Sequence, residues 1–245
     1  MTVSPGEVSR RPVGSAWVLM YHSVAEYSHD PYQITVTPAT FERQLRWLHR
    51  RGLRGVTVAE MLAAQARGDR GVVGLTFDDG YADFATAVVP TLRRFGFTAT
   101  VYVLAQRLGD SNEWDADAPR KPLLSAEQVR EIAGVGMEIG SHGLRHVHLP
   151  TLSHELLAHE LGHSRAILRE LSGQRVDGFA YPYGEAGERE IDAVRTAGYT
   201  HACHAGHPDV ATVHSIPRSF VGERDRGARL AAKQVRHELK WRRSR

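Results

Sequence analysis

Cysteine is almost missing from this chain. Cys203 stands alone among 245 residues, so no internal disulfide can form and no cysteine-rich zinc site is possible. Any metal must be held by His, Asp or Glu. Long apolar runs are missing as well. A membrane-spanning helix needs roughly 18 such residues, and the longest N-terminal stretch, Ala16 to Met20, leads directly into polar residues. Arg10 and Arg11 mimic the charged start of a signal peptide, but neither an adequate apolar segment nor a small-residue cleavage site follows. The expectation is a cytoplasmic protein, extracellular only if a leader is missing. What remains is 42% hydrophobic and 24% charged, enough to bury a full core and to exclude disorder or a fibrous repeat as overall descriptions.

Charge is unevenly spread. Residues 224–245 carry nine Lys or Arg against only Asp225 and Glu238, so the rest of the chain is slightly acidic although the whole sums to +3. This basic C-terminal tail reads as a cationic helix. Weak contact with an anionic membrane surface is one use for it, and a solvated terminal helix is the plainer one. No nucleic-acid partner is expected.

Between a flexible N-terminal segment, 1–15, and that tail, β-rich runs alternate with amphipathic helical stretches across a single domain, 16–223. A strand at Ala16–His22 comes first. Thr37 and Pro38 then open a helix whose apolar face is Phe41, Leu45 and Leu48. A buried-strand pattern from Gly71 to Phe77 ends in Asp78, Asp79 and Gly80, and helical pattern follows over 82–95. Strand patterns recur at 99–103, 137–140, 178–181, 199–203 and 213–218. The helices between them are signalled by a Ser125/Gln128 capping box, by 153–171 and by 188–198. Six or seven β-α units in this length suggest an α/β fold closed, or nearly closed, into a barrel, with an open doubly wound sheet as the alternative.

Three clusters fall at strand ends: Asp78-Asp79, His142 with His146, and Tyr181-Pro-Tyr-Gly184. In parallel α/β folds these ends share one face, so the three can converge. Two imidazoles with a carboxylate make a three-ligand metal site that leaves room for water. Adjacent carboxylates disfavour one another's ionisation, a conflict resolved if one binds metal while the other acts as a general base. Trp114, in a loop on the presumed site face, could stack on a sugar ring or pack in the core. His201, His204 and His207, around Cys203, read as surface or loop residues.

The motifs resemble those of a known family, the polysaccharide deacetylases with a NodB homology domain, also called carbohydrate esterase family 4. Thr76-Phe-Asp-Asp-Gly80 is similar to its first motif, Ser141-His-Gly-Leu-Arg-His146 to its second and Phe179-Ala-Tyr-Pro-Tyr-Gly184 to its third. Leu19-Met-Tyr-His22, Phe41-Glu-Arg-Gln-Leu45 and Ile216-Pro-Arg218 resemble the flanks of its poly-N-acetylglucosamine-deacetylase-like branch. The resemblance covers residues 17–220. It implies an irregular (β/α)7 barrel and removal of N-acetyl groups from amino sugars of a glycan. It further implies Asp78 as general base, and Asp79, His142 and His146 as ligands of one divalent metal, commonly zinc, with cobalt, nickel or iron as alternatives. Tyr183, following Pro182, would offer its backbone N–H to the oxyanion.

The departures carry expectations of their own. Gly143 replaces the usual Ser or Thr, removing a hydroxyl that would orient the ligand loop. Tyr181 stands where many members have an Arg that tethers the base, and Arg218, at the end of the last core strand, is the candidate to supply that charge. The family's late histidine has no clear counterpart. His214 lies near its place but out of register, so His22, ending the first strand, is the preferred active-site histidine and candidate general acid. Two competing functions stay open: deacetylation or deformylation of a small, lipid-linked or natural-product amino sugar, and a non-catalytic carbohydrate-binding barrel.

Overall fold

The computed structural model describes residues 17–205 and 211–243; segment 1–15 and His207 lie outside the described residues. The chain opens with β1 (Val18–Tyr21), then β2 (Ser23–Val24) and β3 (Thr35–Val36), which pair in parallel with each other as a small ribbon apart from the main sheet. Helix α1 (Pro38–Arg50) starts where Thr37 accepts the Thr40 N–H and Pro38 supplies a ready-made helical φ. Its Phe41, Leu45 and Leu48 are fully buried, as their spacing predicts.

Next come β4 (Arg54–Val56), α2 (Val58–Arg67), which begins in a Thr57/Glu60 capping box, and β5 (Val72–Phe77). The helical stretch after β5 differs from expectation at its start: Phe84–Val88 is a π-helical turn that runs into α3 (Val89–Phe95). There follow β6 (Thr100–Val103), α4 (Ala126–Gly134) with the expected Ser125/Gln128 capping box, β7 (Glu138–Ser141) and α5 (His154–Ser172). The chain closes with β8 (Gly178–Ala180), α6 (Glu188–Thr196), β9 (His201–His204), β10 (Ile216–Pro217), β11 (Ser219–Phe220) and α7 (Ala228–Arg243).

The main sheet runs β10-β9-β8-β7-β6-β5-β1-β11, with β4 set against the first half of β5. Every pairing is parallel. The last expected strand, 213–218, is met only at β10, and beyond Arg218, which had been expected to end it, a second short strand, β11, follows. Ile216 pairs with Cys203 on β9 and Ser219 with Leu19 on β1, so segment 216–220 joins the two edges of the sheet. With that segment counted as one, the barrel has seven strands, and the open-sheet alternative falls.

Side chains alternate across a strand, and the two apolar clusters follow that alternation. Leu19, Leu75, Phe77, Val101, Ile139 and Phe179 belong to the large one, with Phe41 and Leu45 of α1 and Leu157, Leu161 and Leu168 of α5. Val18, Tyr102, Ala180, Cys203 and Ile216 belong to a smaller one, on the opposite set of strand positions inside the barrel. That interior is narrow. A Cβ on Gly140 would collide with the Tyr102 ring, and one on Gly178 would lie 2.6 Å from His201 Nε2. His201 is consequently a correction: it is a buried β9 residue, 3.5 Å from Glu138 Oε1, and not a surface or loop histidine.

The basic tail is helical and folds back on the domain. Leu230 and His237 are buried, and Lys233 donates to Phe220 O and to Asp225. Among the described residues no helix is long and apolar enough to cross a membrane.

Candidate active site

At the end of β5 the Asp78 N–H bonds Tyr21 O on the neighbouring strand, at 3.0 Å, which carries the β-like alignment one residue further. Asp79 and Gly80 then both turn left-handed, at φ of 70° and 71°. Such a conformation costs a non-glycine residue roughly 1–3 kcal/mol. It turns the chain at the motif, and the two carboxylates go to different partners. Asp78 meets Arg218; Asp79 meets His142 and His146.

Arg218 is the largest fully buried side chain of the described residues. Its two terminal nitrogens bond the two Asp78 oxygens at 2.6 and 2.7 Å, and Nη1 also reaches Thr76 Oγ1. Burial alone would push the Asp78 carboxyl up. The Arg218 charge, aided by nearby His142 and by the hydrogen bonds, outweighs burial and holds it below the usual carboxylate value. Tyr181, by contrast, turns away and donates from its hydroxyl to His214 O. His214 is buried beside it with Nε2 on Tyr199 O.

His142 follows β7 and anchors through its N–H to Val103 O. Its Nδ1 lies 2.8 Å from Ala180 O. A carbonyl can only accept, so Nδ1 carries the proton and Nε2 presents a lone pair. That Nε2 is 3.3 Å from Asp79 Oδ1, and His146 Nε2 is 3.4 Å from the same oxygen. Asp79, His142 and His146 are all buried, with ligand atoms within 4.8 Å of one another. Burial raises the Asp79 carboxyl, but the two imidazoles more than reverse this and leave it well below its ordinary value.

These distances test whether a metal fits. Tetrahedral ligands at about 2.0–2.1 Å from zinc stand about 3.3 Å from one another, which is the spacing observed between Asp79 Oδ1 and each imidazole Nε2. His142 Nε2, whose lone pair faces the Asp79 carboxylate, also needs a cation between the two to be compatible. The three side chains therefore fit a divalent ion.

The loop that delivers His146 is held by a residue that the sequence motifs do not single out. Glu160, buried on α5, accepts the N–H groups of Leu144 and Arg145 at 2.6 and 3.1 Å. Gly143 has φ of +88°, and a Cβ there would lie 2.9 Å from Glu160 Oε1. The ligand loop is thus oriented by a carboxylate that needs glycine at 143, where a hydroxyl had been expected to matter. A sequence signal exists: Glu160 sits on the buried stripe of α5 with Leu157, Leu161, Ser164 and Leu168, a place for a charge only if it is satisfied.

Aromatic rings surround His146. Trp114 stacks on it at 4.7 Å between centroids, and Tyr183 meets it edge-on at 4.4 Å. Tyr183, itself left-handed at φ of 58° after the buried Pro182, donates to His146 O and stacks on His148 at 3.9 Å. Of five described non-glycine residues with positive φ, three are Asp79, His146 and Tyr183, so backbone strain is concentrated here. His22, just past β1, is close enough to both carboxylates for its charge to favour their ionised forms. Its Nδ1 is buried with no hydrogen-bond partner, and its ring lies 6.1 Å from that of Phe220.

A sequence model of the family described as "Polysaccharide deacetylase" matches residues 65–202, more than half of the chain. The Bacillus subtilis protein YxkH, grouped with the polysaccharide deacetylases, is 29% identical over 74% of this chain and 61% of its own length. A poly-beta-1,6-N-acetyl-D-glucosamine N-deacetylase of Escherichia coli is 24% identical over 83% of this chain but only 36% of its own length. The chain thus spans less than two thirds of both relatives. Among solved structures, a Streptococcus pyogenes deacetylase, PplD, in complex with acetate superposes with a TM-score of 0.76 at 22% identity, covering 91% of this chain and 99% of that one. IcaB from Ammonifex degensii gives 0.76 at 24% identity, over 89% and 96%. These two likenesses support the seven-stranded barrel.

Proposed function

Because the chain belongs to the polysaccharide deacetylase family, we propose that it hydrolyses the N-acetyl amide of amino-sugar residues in a polysaccharide or oligosaccharide, with one divalent cation, zinc first among candidates. The observation that carries this reading is the juxtaposition of two buried sets: the three-ligand group Asp79, His142 and His146, and beside it the Asp78–Arg218 pair. A cation held by the three ligands would supply Lewis acidity and lower the pKa of water.

The chain's own groups divide the remaining work. Asp78, kept ionised by Arg218, takes the proton from the attacking water. Arg218 holds that carboxylate by both oxygens, so it cannot swing to a competing ligand position. The Tyr183 backbone N–H is the donor assigned to the developing oxyanion, with Pro182 setting the turn that presents it. His22, near both carboxylates, is assigned the proton delivered to the departing amine. Trp114 and Tyr183 flank His146 and shield that side of the site from water, with Trp114 also available to a sugar face.

The test is acetate release from N-acetylglucosamine oligomers by metal-reconstituted protein beside Asp78→Asn and His142→Ala. Release by the parent that disappears in both variants supports the reading. Stoichiometric metal binding without release from any acetylated amino sugar overturns it.

A further inference from the structure

Away from the candidate active site, α5 turns two histidines to solvent. His159 and His163 are both exposed, and their rings lie 3.9 Å apart between centroids with the planes tilted by 34°. Residues four apart share one face of a helix, and two imidazoles at that spacing can hold one metal ion between them. Neither histidine belongs to the three sequence motifs or to the group formed by Asp79, His142 and His146.

One of the rings is already set for ligation. His163 Nδ1 lies 3.2 Å from His159 O. A carbonyl only accepts, so Nδ1 carries the proton and Nε2 is left as the ligand atom. Metal-binding imidazoles are commonly oriented in this way, by a hydrogen bond from the other ring nitrogen to a backbone carbonyl or carboxylate.

The helix supplies a firm frame. Glu160, Leu161 and Ser164, interleaved with the two histidines, are all buried. Glu160 holds the Leu144 and Arg145 N–H groups, and Ser164 accepts the Ser141 hydroxyl at 3.0 Å while donating to Leu161 O. Binding an ion on the outer side therefore orders little more than two rings. That outer side is also open. Gly162 and Ala166 stand three residues on from His159 and His163, and a Cβ on Gly162 would meet nothing within 4 Å. Glycine inside a helix costs about 1 kcal/mol relative to alanine, and here it leaves clear space beside the rings for the water that completes a coordination shell.

The donor set fixes the class of ion. Two imidazoles suit borderline transition cations, with Cu²⁺ bound most tightly of the first-row divalent series, whereas Ca²⁺ and Mg²⁺ take oxygen ligands. We infer that His159 and His163 form a second divalent-metal site, a two-histidine chelate on the outer face of α5 that takes an ion of the copper, nickel or zinc class. It does not depend on the deacetylase reading.

The test is calorimetric titration of untagged, chelator-stripped protein with Cu²⁺, beside His159→Ala and His163→Ala, both replacements being at exposed positions. Each should remove one of the copper equivalents bound by the parent, or weaken it roughly tenfold or more, because the second ring is what makes the attachment intramolecular. Glu155→His added to His163→Ala rebuilds a pair four residues apart, with His159, and should restore that equivalent. Copper uptake left unchanged by either replacement, or not restored by the rebuilt pair, overturns the site. If the equivalent lost in these variants is the whole of what the parent binds, and zinc adds no other, the three-ligand reading of the active site fails while the site on α5 stands.

Discussion

Arg218 grips both oxygens of Asp78, at 2.6 and 2.7 Å, from the gap between the two half-strands that close the barrel. Barrel closure and placement of the candidate base therefore depend on the same five residues. Removing one partner of a buried pair costs about 3–5 kcal/mol, mainly because the other charge is left uncompensated. Arg218→Met should thus lower the melting temperature sharply, and Asp78→Asn added to it should recover part of the loss. Arg218→Lys keeps the charge without the two-pronged geometry. It should stay folded and lose about tenfold to a hundredfold in kcat with KM little changed, roughly 1.4–2.7 kcal/mol of transition-state stabilisation. A double variant no more stable than Arg218→Met would sink the account.

A second prediction separates His22 from the metal ligands. The ring stands near Asp78 and Asp79 but is not among the three side chains that converge on one point. His22→Gln should therefore bind metal with parental stoichiometry while kcat falls about 10²- to 10⁴-fold, the usual contribution of a positioned proton donor. Calorimetric metal titration alongside acetate release reads both quantities. Loss of metal together with activity would reassign His22 to the ligand set.

Glu160 touches no candidate reacting group, yet it should govern metal affinity. By accepting the Leu144 and Arg145 N–H groups it fixes the turn that aims His146, and loss of such an orienting partner typically costs 10- to 100-fold in metal affinity. Glu160→Ala should show that loss in a chelator competition, with Glu160→Gln, which keeps one acceptor oxygen, falling between. Gly143→Ser makes the companion test. It restores the hydroxyl more usual in the family, but at φ of +88° and 2.9 Å from Glu160 Oε1 it should destabilise by more than about 1 kcal/mol and weaken metal binding. Tighter metal binding in Gly143→Ser would show that the hydroxyl, and not Glu160, is the better orienting group.

How much of this was legible beforehand follows the range of the forces involved. Thr37 with Pro38 and the Ser125/Gln128 capping box act within one turn, and both helices begin where those residues predict. Asp78-Asp79 and His142/His146 were readable as a constellation because parallel strands bring their C-terminal ends to one face whatever the details. Glu160 was not, since a buried glutamate on an apolar helix stripe announces that it has a partner without saying which loop supplies it. His201 was misread because histidines clustered around a short run look like loop. Its inward position follows from strand alternation once β9 is paired with β8. The continuation past Arg218 was invisible for a similar reason: the pattern reads as a strand that ends there, and only the pairing of Ser219 and Phe220 with β1, on the other edge from β9, shows the second half-strand.

The barrel interior supplies the pH prediction. Glu138, at the opposite end of β7 from His142, lies beside His201 and accepts the Thr100 hydroxyl at 2.6 Å. Burial works to raise its carboxyl, but His201, Thr100 and the Ala59 N–H outweigh burial and bring it below its ordinary value of 4.5. The unfolded chain therefore takes up this proton at a higher pH than the folded one. The stability Glu138 contributes is complete above 4.5 and drains away as the pH falls through the lower folded value. Glu138→Gln removes the titration while keeping the shape. Urea midpoints measured from neutral pH down through the carboxylate range should fall less steeply for this variant than for the parent, with the two curves converging in acid. Curves that stay parallel would mean that Glu138 is not held ionised by its neighbours and that the His201 contact is packing alone.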